Sequence, residues 1–213
     1  MRGILLITSH AVGDETIRRA VAVLRAGGLV AYPTDTVYGL AADPTNDQAV
    51  TRLFEAKKRL PDQSTPLLIA SPHDLAKVAA EVPEVAERLI VTFWPGALTI
   101  VLRKAQSFHS RAVAGETVGL RVPDHPVPRE LVRLLGGPIT GTSANVAGGP
   151  EPLTAEDVRS QLGDAVDLVI DGGRCPGNTP STVVDCTVSP PRIVREGAIT
   201  RGELVRAAGV QFA

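Results

Sequence analysis

Short apolar runs, each closed by glycine or proline, recur along the whole of the 213-residue chain. Leu98 to Leu102, Val118 to Val122, Pro138 to Thr142, Leu168 to Ile170, Val183-Val184 and Ile193-Val194 have strand length and are bounded by turn residues. With 20 glycines and 17 prolines the chain turns often, so its fold must be built from short strands and tight connections. A hydrophobic share of 44% against 21% charged supplies one sizeable core and argues against disorder. A single domain over residues 1–213 is expected, with its core from about 10 to 200.

Helical spacing alternates with these runs. Ile4 to Thr8 reads as a first strand. Ile17, Ala20, Val21 and Leu24 then repeat on one helical face and stop at Gly27-Gly28, a C-cap signal, before a buried strand at Leu29 to Tyr32. Asn46 can cap a helix whose Val50, Leu53, Phe54 and Lys57 share one face, and Pro66 to Ala70 reads as the next strand. Ser71-Pro72 opens a predicted helix to about Val82, and another covers Glu84 to Val91. Thr154-x-x-Asp157 and Thr200-x-x-Glu203 are capping boxes for two more helices. Strands and helices intermix throughout, which places the chain in the α/β class with a twisted mixed β-sheet flanked by helices.

The charge balance removes several functions. Lys+Arg 22 against Asp+Glu 23 gives a net charge of −1, so no global positive field exists to hold nucleic acid or an anionic membrane, and any phosphate site must be local. Aromatics at 3% are too scarce for a base-stacking platform. No apolar run reaches the ~18 residues of a membrane span, and the N-terminal run is too short for a signal peptide, so a cytoplasmic protein is expected. Cys175 and Cys186 are too few for a zinc cluster or disulfide scaffold and fit a reducing compartment. His10, His73, His109 and His125 have no metal-ligand spacing and read as structural or exposed; no protein metal site is expected.

Polar residues at predicted element ends carry what chemistry remains, because P-loop, dinucleotide and zinc-protease motifs are all missing. Pro33 to Leu40 sets Thr34, Asp35 and Thr36 at the mouth of a sheet, as a ligand-orienting loop or an Asx or Ser/Thr turn. Lys57-Lys58-Arg59 ends a helix: Lys57 shares the apolar face, and Arg59 offers a planar fork to phosphate, although basic residues there also answer the macrodipole. Arg121, inside an apolar strand, either reaches solvent by alternation or receives a carboxylate. Gly141 to Asn145 precedes the glycine-rich Ala147 to Pro150; Ser143 and Asn145 face the same side, and the glycines let backbone amides approach phosphate. Asn145 stands where a serine hydrolase needs glycine. Ser181 to Asp185 and Ile193 to Gly197 add further polar strand ends.

Taken in order, these segments resemble the YrdC family of threonylcarbamoyl-AMP synthases. The resemblance rests on Tyr-Pro-Thr-Asp-Thr-Val-Tyr-Gly-Leu at 32–40, Lys57-x-Arg59, Pro66-Leu67, Trp94-Pro95-Gly96 with Leu98-Thr99, Thr117 to Pro123, Ser143-x-Asn145 and Ser181-Thr182-Val183. It implies a YrdC-like fold with a concave basic cleft, and an enzyme joining L-threonine, bicarbonate and ATP into L-threonylcarbamoyl-AMP with release of pyrophosphate. Under it, Lys57, Arg59, Ser143 and Asn145 hold the triphosphate as the catalytic quartet, and Thr117, Glu151 and Arg195 make other nucleotide contacts. Arg121 pairs with the threonine carboxylate, while Thr36 (with Thr34 as alternative), Gly141 and Ser181 complete the amino-acid pocket. Magnesium arrives with ATP, and the product passes to a downstream tRNA threonylcarbamoyl transferase complex, with direct tRNA contact a further expectation.

Two departures stand out. The segment from Arg59 to Pro66 is longer than the family's usual spacing and has Leu60 where proline is common. Ala70 occupies a position where some members carry a histidine. Longer members append a second C-terminal domain, for which this chain is too short. The competing readings are a non-catalytic RNA-binding module and the carbamoyl-transferring module of hydrogenase maturation, which sits in a longer chain beside zinc-finger and acylphosphatase segments.

Overall fold

The protein is described by a computed structural model covering residues 5–8, 14–60, 63–177 and 179–213; His10 lies outside the described residues. Eleven strands and six α-helices are described, and the strands divide between two sheets.

The first sheet runs β1 (Leu5–Thr8), β9 (Leu168–Asp171), β2 (Val30–Tyr32), β3 (Gly39–Ala41), β8 (Thr142–Ser143), with β1, β9 and β2 parallel and the others antiparallel. Both faces of its central strands are covered, which explains the unbroken apolar character of β2, β3 and Leu168 to Ile170. Val30, Tyr32, Leu168 and Ile170 pack against α1 (Asp14–Arg25) and α4 (Pro126–Leu135). Ala31 and Val169, one residue out of phase, pack against α2 (Asp47–Lys57) and α5 (Ala155–Leu162).

The second sheet runs β11 (Arg192–Arg195), β10 (Thr182–Asp185), β5 (Leu98–Arg103), β6 (Thr117–Arg121), β4 (Leu67–Leu68), β7 (Ile139–Thr140). Leu98, Ile100, Leu102, Val118 and Leu120 face a core closed by α3 (Glu84–Phe93) and α6 (Arg201–Ala208). Alternation sends Thr99, Val101, Thr117, Gly119 and Arg121 to the other face, and that face floors the cleft.

The two sheets meet at Thr140 and Gly141. Fully buried Thr140 donates through Oγ1 to Leu40 O (2.9 Å), accepts there from Ala42 N (2.8 Å), and takes the Tyr32 hydroxyl on its carbonyl (3.0 Å). One residue later the chain crosses from one sheet to the other. The expected strand Pro138 to Thr142 is therefore two strands in different sheets.

Other expectations also change. The helix predicted from Ser71 to Val82 is a 3-10 turn at Pro72–Lys77, because the chain must return to pair with the end of β5: Ala79 bridges Lys104, and Ala105 N donates to Val78 O. Helix α4 and strand β3 were not foreseen. His125 caps α4 by accepting Val127 N at Nδ1, Pro126 follows it, and Gly136 closes the helix in the left-handed region. The buried set extends past residue 200 to Leu204, Ala208 and Phe212. Helices α1, α2, α3, α5 and α6 match their capping and spacing signals, with Asn46, Thr154 and Thr200 all accepting at their N-caps.

Candidate active site

A cavity of about 170 Å³ opens where the β2–β3 loop meets the uncovered face of the second sheet. Eight of the residues singled out in the sequence line it: Thr36, Arg59, Arg121, Gly141, Ser143, Glu151, Ser181 and Arg195. They come from chain positions more than 150 residues apart, so the cavity is a product of the tertiary fold.

Arg121 sits at its floor, 7% exposed, and its orientation is fixed by three segments. Nε donates to Gly96 O (2.8 Å), Nη1 to Thr36 Oγ1 (3.3 Å) and Nη2 to Asp35 Oδ1 (2.7 Å). Of the two readings of this arginine, the structure selects the inward one. Thr36 lies on the wall and Thr34 behind it: Thr34 Oγ1 accepts Thr36 N (3.0 Å) and donates to Val37 O (2.7 Å), so its hydroxyl holds the loop's shape.

Arg195 reaches across from β11. Its Nε and Nη2 donate to Ser181 O (3.1 and 2.7 Å), and Nη2 also to Ser181 Oγ (3.1 Å), which lies 2.9 Å from Thr99 Oγ1. Burial lowers its pKa, Glu151 opposes that, and Arg121 adds to it, so these three charges share one field. Gly197 permits the approach: a Cβ there would stand 2.3 Å from Pro180 O and 2.6 Å from the Ser181 carbonyl carbon.

Arg59, partly exposed, is tethered through Nε to Gln63 Oε1 (2.7 Å), through Nη2 to Ser64 O (2.9 Å) and through Nη1 to Thr65 Oγ1 (3.4 Å). The longer segment after Arg59 thus supplies its anchors. Lys58, in the left-handed region at φ 51°, turns the chain so that Lys57 and Arg59 diverge.

Lys57 and Asn145 stand behind the wall instead of on it. Lys57 Nζ donates to Ser143 O, to Asn145 O (2.8 Å) and to Asn145 Oδ1 (3.2 Å). Asn145 Oδ1 also accepts Ser143 Oγ (2.6 Å), while Nδ2 donates to Gly149 O (2.9 Å) and Pro150 O (3.2 Å). Their polar atoms are spent on shaping the loop that presents Ser143 and Glu151. Burial and the Arg59 charge pull the Lys57 ammonium down to about 8, against a smaller upward pull from Glu151.

Thr117 is not brought to the cavity. It shares the face of β6 with Arg121 but precedes it by four residues, roughly 13 Å along a strand, and pairs with Arg103. Asp35, Gly96 and Thr99, named in the sequence only as members of their segments, also belong to the site: Asp35 and Gly96 hold Arg121, and Thr99 lies beside Ser181. Asp35 and Thr99 sat inside segments already singled out, but nothing in spacing says which atom faces Arg121.

Larger hollows exist elsewhere, of about 370 Å³ beside Ala70 and about 410 Å³ beside His109. The first contains cations already paired, Lys77 with Asp74 and Arg133 with Glu130. Among the described residues no group of three or more His, Cys, Asp or Glu could hold a metal, and no helix is long and apolar enough to cross a membrane. His73 and His109 are exposed, and Cys175 and Cys186 are buried free thiols.

A mixed sheet packed by helices on one face and carrying converging arginines on the other, joined to a sheet covered on both faces, defines a YrdC-like α/β protein. The chain belongs to the Sua5/YciO/YrdC family, whose model, described as telomere recombination, matches residues 22–197. It is 38% identical over 208 residues to the threonylcarbamoyl-AMP synthase of Pyrococcus abyssi, covering 97% of this chain and 61% of that protein. It is 42% identical over 195 residues to a putative threonylcarbamoyl-AMP synthase of Mycobacterium tuberculosis, covering 91% and 89%. The crystal structure of P. abyssi Sua5 complexed with L-threonine superposes with a TM-score of 0.91 at 37% identity, over 99% of this chain and 62% of that one. The chain thus spans about three fifths of the archaeal relative and most of the mycobacterial one.

Proposed function

We propose that this protein forms L-threonylcarbamoyl-AMP and pyrophosphate from L-threonine, bicarbonate and ATP, as its relatives' names imply, and supplies the first step of tRNA threonylcarbamoyladenosine synthesis. The observation that carries the reading is the meeting of Arg59, Arg121, Arg195, Ser143 and Ser181 on one small cavity. Such a wall suits two anions held side by side, one a carboxylate and the other a phosphate chain.

The chemistry asks for no covalent enzyme nucleophile. The threonine amine takes up the one-carbon unit from bicarbonate with loss of water, giving a carbamate. A carbamate oxygen then forms a bond to the α-phosphorus of ATP as the bond to pyrophosphate breaks. Positioning and charge stabilisation therefore supply the rate. Arg121 receives the threonine carboxylate, with Thr36, the Gly141 backbone and Ser181 around the rest of the amino acid. Ser143 and Arg59 meet phosphate oxygens; Lys57 and Asn145 fix the loop behind Ser143; Glu151 and Arg195 border the nucleoside end.

Magnesium enters with ATP as part of the substrate. Among the described residues Glu151 is the one carboxylate on the cavity wall, so phosphate oxygens and water would supply most of its ~6 ligands. The product's acyl-phosphate-like bond to AMP is hydrolytically labile, which calls for prompt transfer to the tRNA threonylcarbamoyl transferase complex, in the cytoplasm where ATP and tRNA meet.

Pyrophosphate release tests the reading: it should need threonine, bicarbonate and ATP together. Release that ignores either threonine or bicarbonate would refute it.

A further inference from the structure

Asp35 comes from the loop of the first sheet and Arg121 from a strand of the second, so their contact crosses the cleft. The pair is largely buried, with side-chain exposures of 15% and 9%, and Nη2 stands 2.7 Å from Oδ1. A guanidinium has five N–H donors. Gly96 O, Thr36 Oγ1 and Asp35 Oδ1 take one from each nitrogen. One N–H remains on each terminal nitrogen, and Arg121 lines the cavity.

We propose that Asp35 is a positioning residue for the amino-acid substrate: by holding Nη2 across the cleft it locks the Arg121 plane so that the two remaining N–H groups face the cavity as a paired edge for a carboxylate. The carboxylate specificity rests on the function proposed above; the locking of Arg121 does not. Without Asp35, the Thr36 hydroxyl at 3.3 Å and the Gly96 carbonyl are the remaining restraints, and rotation about the Nε–Cζ bond is opposed at one terminal nitrogen only. Asp35 also offsets the Arg121 charge, so a free carboxylate is recognised by two aligned donors more than by bare attraction.

The test uses Asp35→Ala and Asp35→Asn, each checked for a wild-type melting profile, in two measurements. In steady-state synthesis, Asp35→Ala should raise KM for threonine at least tenfold while KM for ATP stays within twofold, and Asp35→Asn, which keeps an oxygen at the Oδ1 position, should recover most of the loss. In nitrogen-edited NMR of the ligand-free protein, the Arg121 Nη protons should be separate and slow in the wild type and in Asp35→Asn, and merged by rotation in Asp35→Ala. An unchanged or lowered KM for threonine in Asp35→Ala would mean that Asp35 merely competes for the guanidinium, and would overturn the proposal. Persistence of separate Nη signals in Asp35→Ala would overturn it as well, whatever the substrate. Should the wild type prove inactive with threonine while the Nη signals behave as expected, the function fails and the positioning role stands.

Discussion

Lys57 places its ammonium 2.8 Å from the carbonyl oxygen of Asn145, a residue 88 positions further along the chain. With Asn145 Oδ1 and Ser143 O as its other acceptors, the lysine has no N–H left over. The quartet that the sequence presents as one binding group is therefore two layers deep: Ser143 and Arg59 on the wall, Lys57 and Asn145 behind Ser143.

Replacing Lys57 by Met keeps the apolar stem and takes a donor from Ser143 O, Asn145 O and Asn145 Oδ1, the last of which keeps Ser143 Oγ. A loss of about 2 kcal/mol or more is expected, which lowers Tm by roughly 4–8 °C in a chain of this size. Turnover should fall by about 10²-fold or more as the Ser143 loop relaxes. Calorimetry and pyrophosphate release check the two effects separately.

Lys57 also sets a pH dependence. Its folded-state pKa, near 8, lies below the ordinary 10.5. Between those values the unfolded chain holds a proton that the folded protein has released, so this residue's contribution to stability rises with pH across that window. Activity runs the other way, because the neutral amine has fewer donors for the loop. The kcat profile should descend above pH about 8, and the residual activity of Lys57→Met should lack that limb.

Arg59 differs from Lys57 in being partly exposed and held by a surface loop. Arg59→Ala should reduce kcat by about 10²–10³-fold, the range for removing one transition-state donor, while Tm changes little. A large fall in Tm would mean that the arginine's work is structural.

Two glycines separate a soft contact from a hard one. A Cβ at Gly141 would meet the Leu68 side chain at 2.8 and 2.9 Å, atoms that can shift, whereas at Gly197 it would meet Pro180 O at 2.3 Å and the Ser181 and Thr182 backbone at 2.6 Å. Gly197→Ala should therefore displace Ser181 and the Arg195 contact, costing about 3 kcal/mol against about 1 kcal/mol for Gly141→Ala. Denaturant unfolding of both variants checks the order.

Much of this was legible beforehand because local rules and tertiary packing agree. Asn46, Thr154 and Thr200 announce helices that their side chains do cap, and the apolar run Leu98 to Leu102 marks the strand that forms there. Helix α4 was missed although His125, Pro126 and Gly136 bracket it, since histidine is a weak capping signal. Pairing decided against the longer helix after Ser71, and a two-sheet division at Gly141 leaves no trace in composition. At the site, residue types were readable but depth was not. Nothing in the order of Lys57, Ser143 and Asn145 says which one is spent on another, and the partner of Asp35 became visible only when Arg121 was found 2.7 Å from it.

The most direct measurement is mass spectrometry of the reaction with ¹³C-bicarbonate, threonine and ATP. A single species joining threonine to AMP through one labelled carbon, formed about 10²–10³-fold more slowly by Arg59→Ala, is the predicted result. Folded wild-type protein that yields no such adduct, or an adduct without the label, would contradict the account.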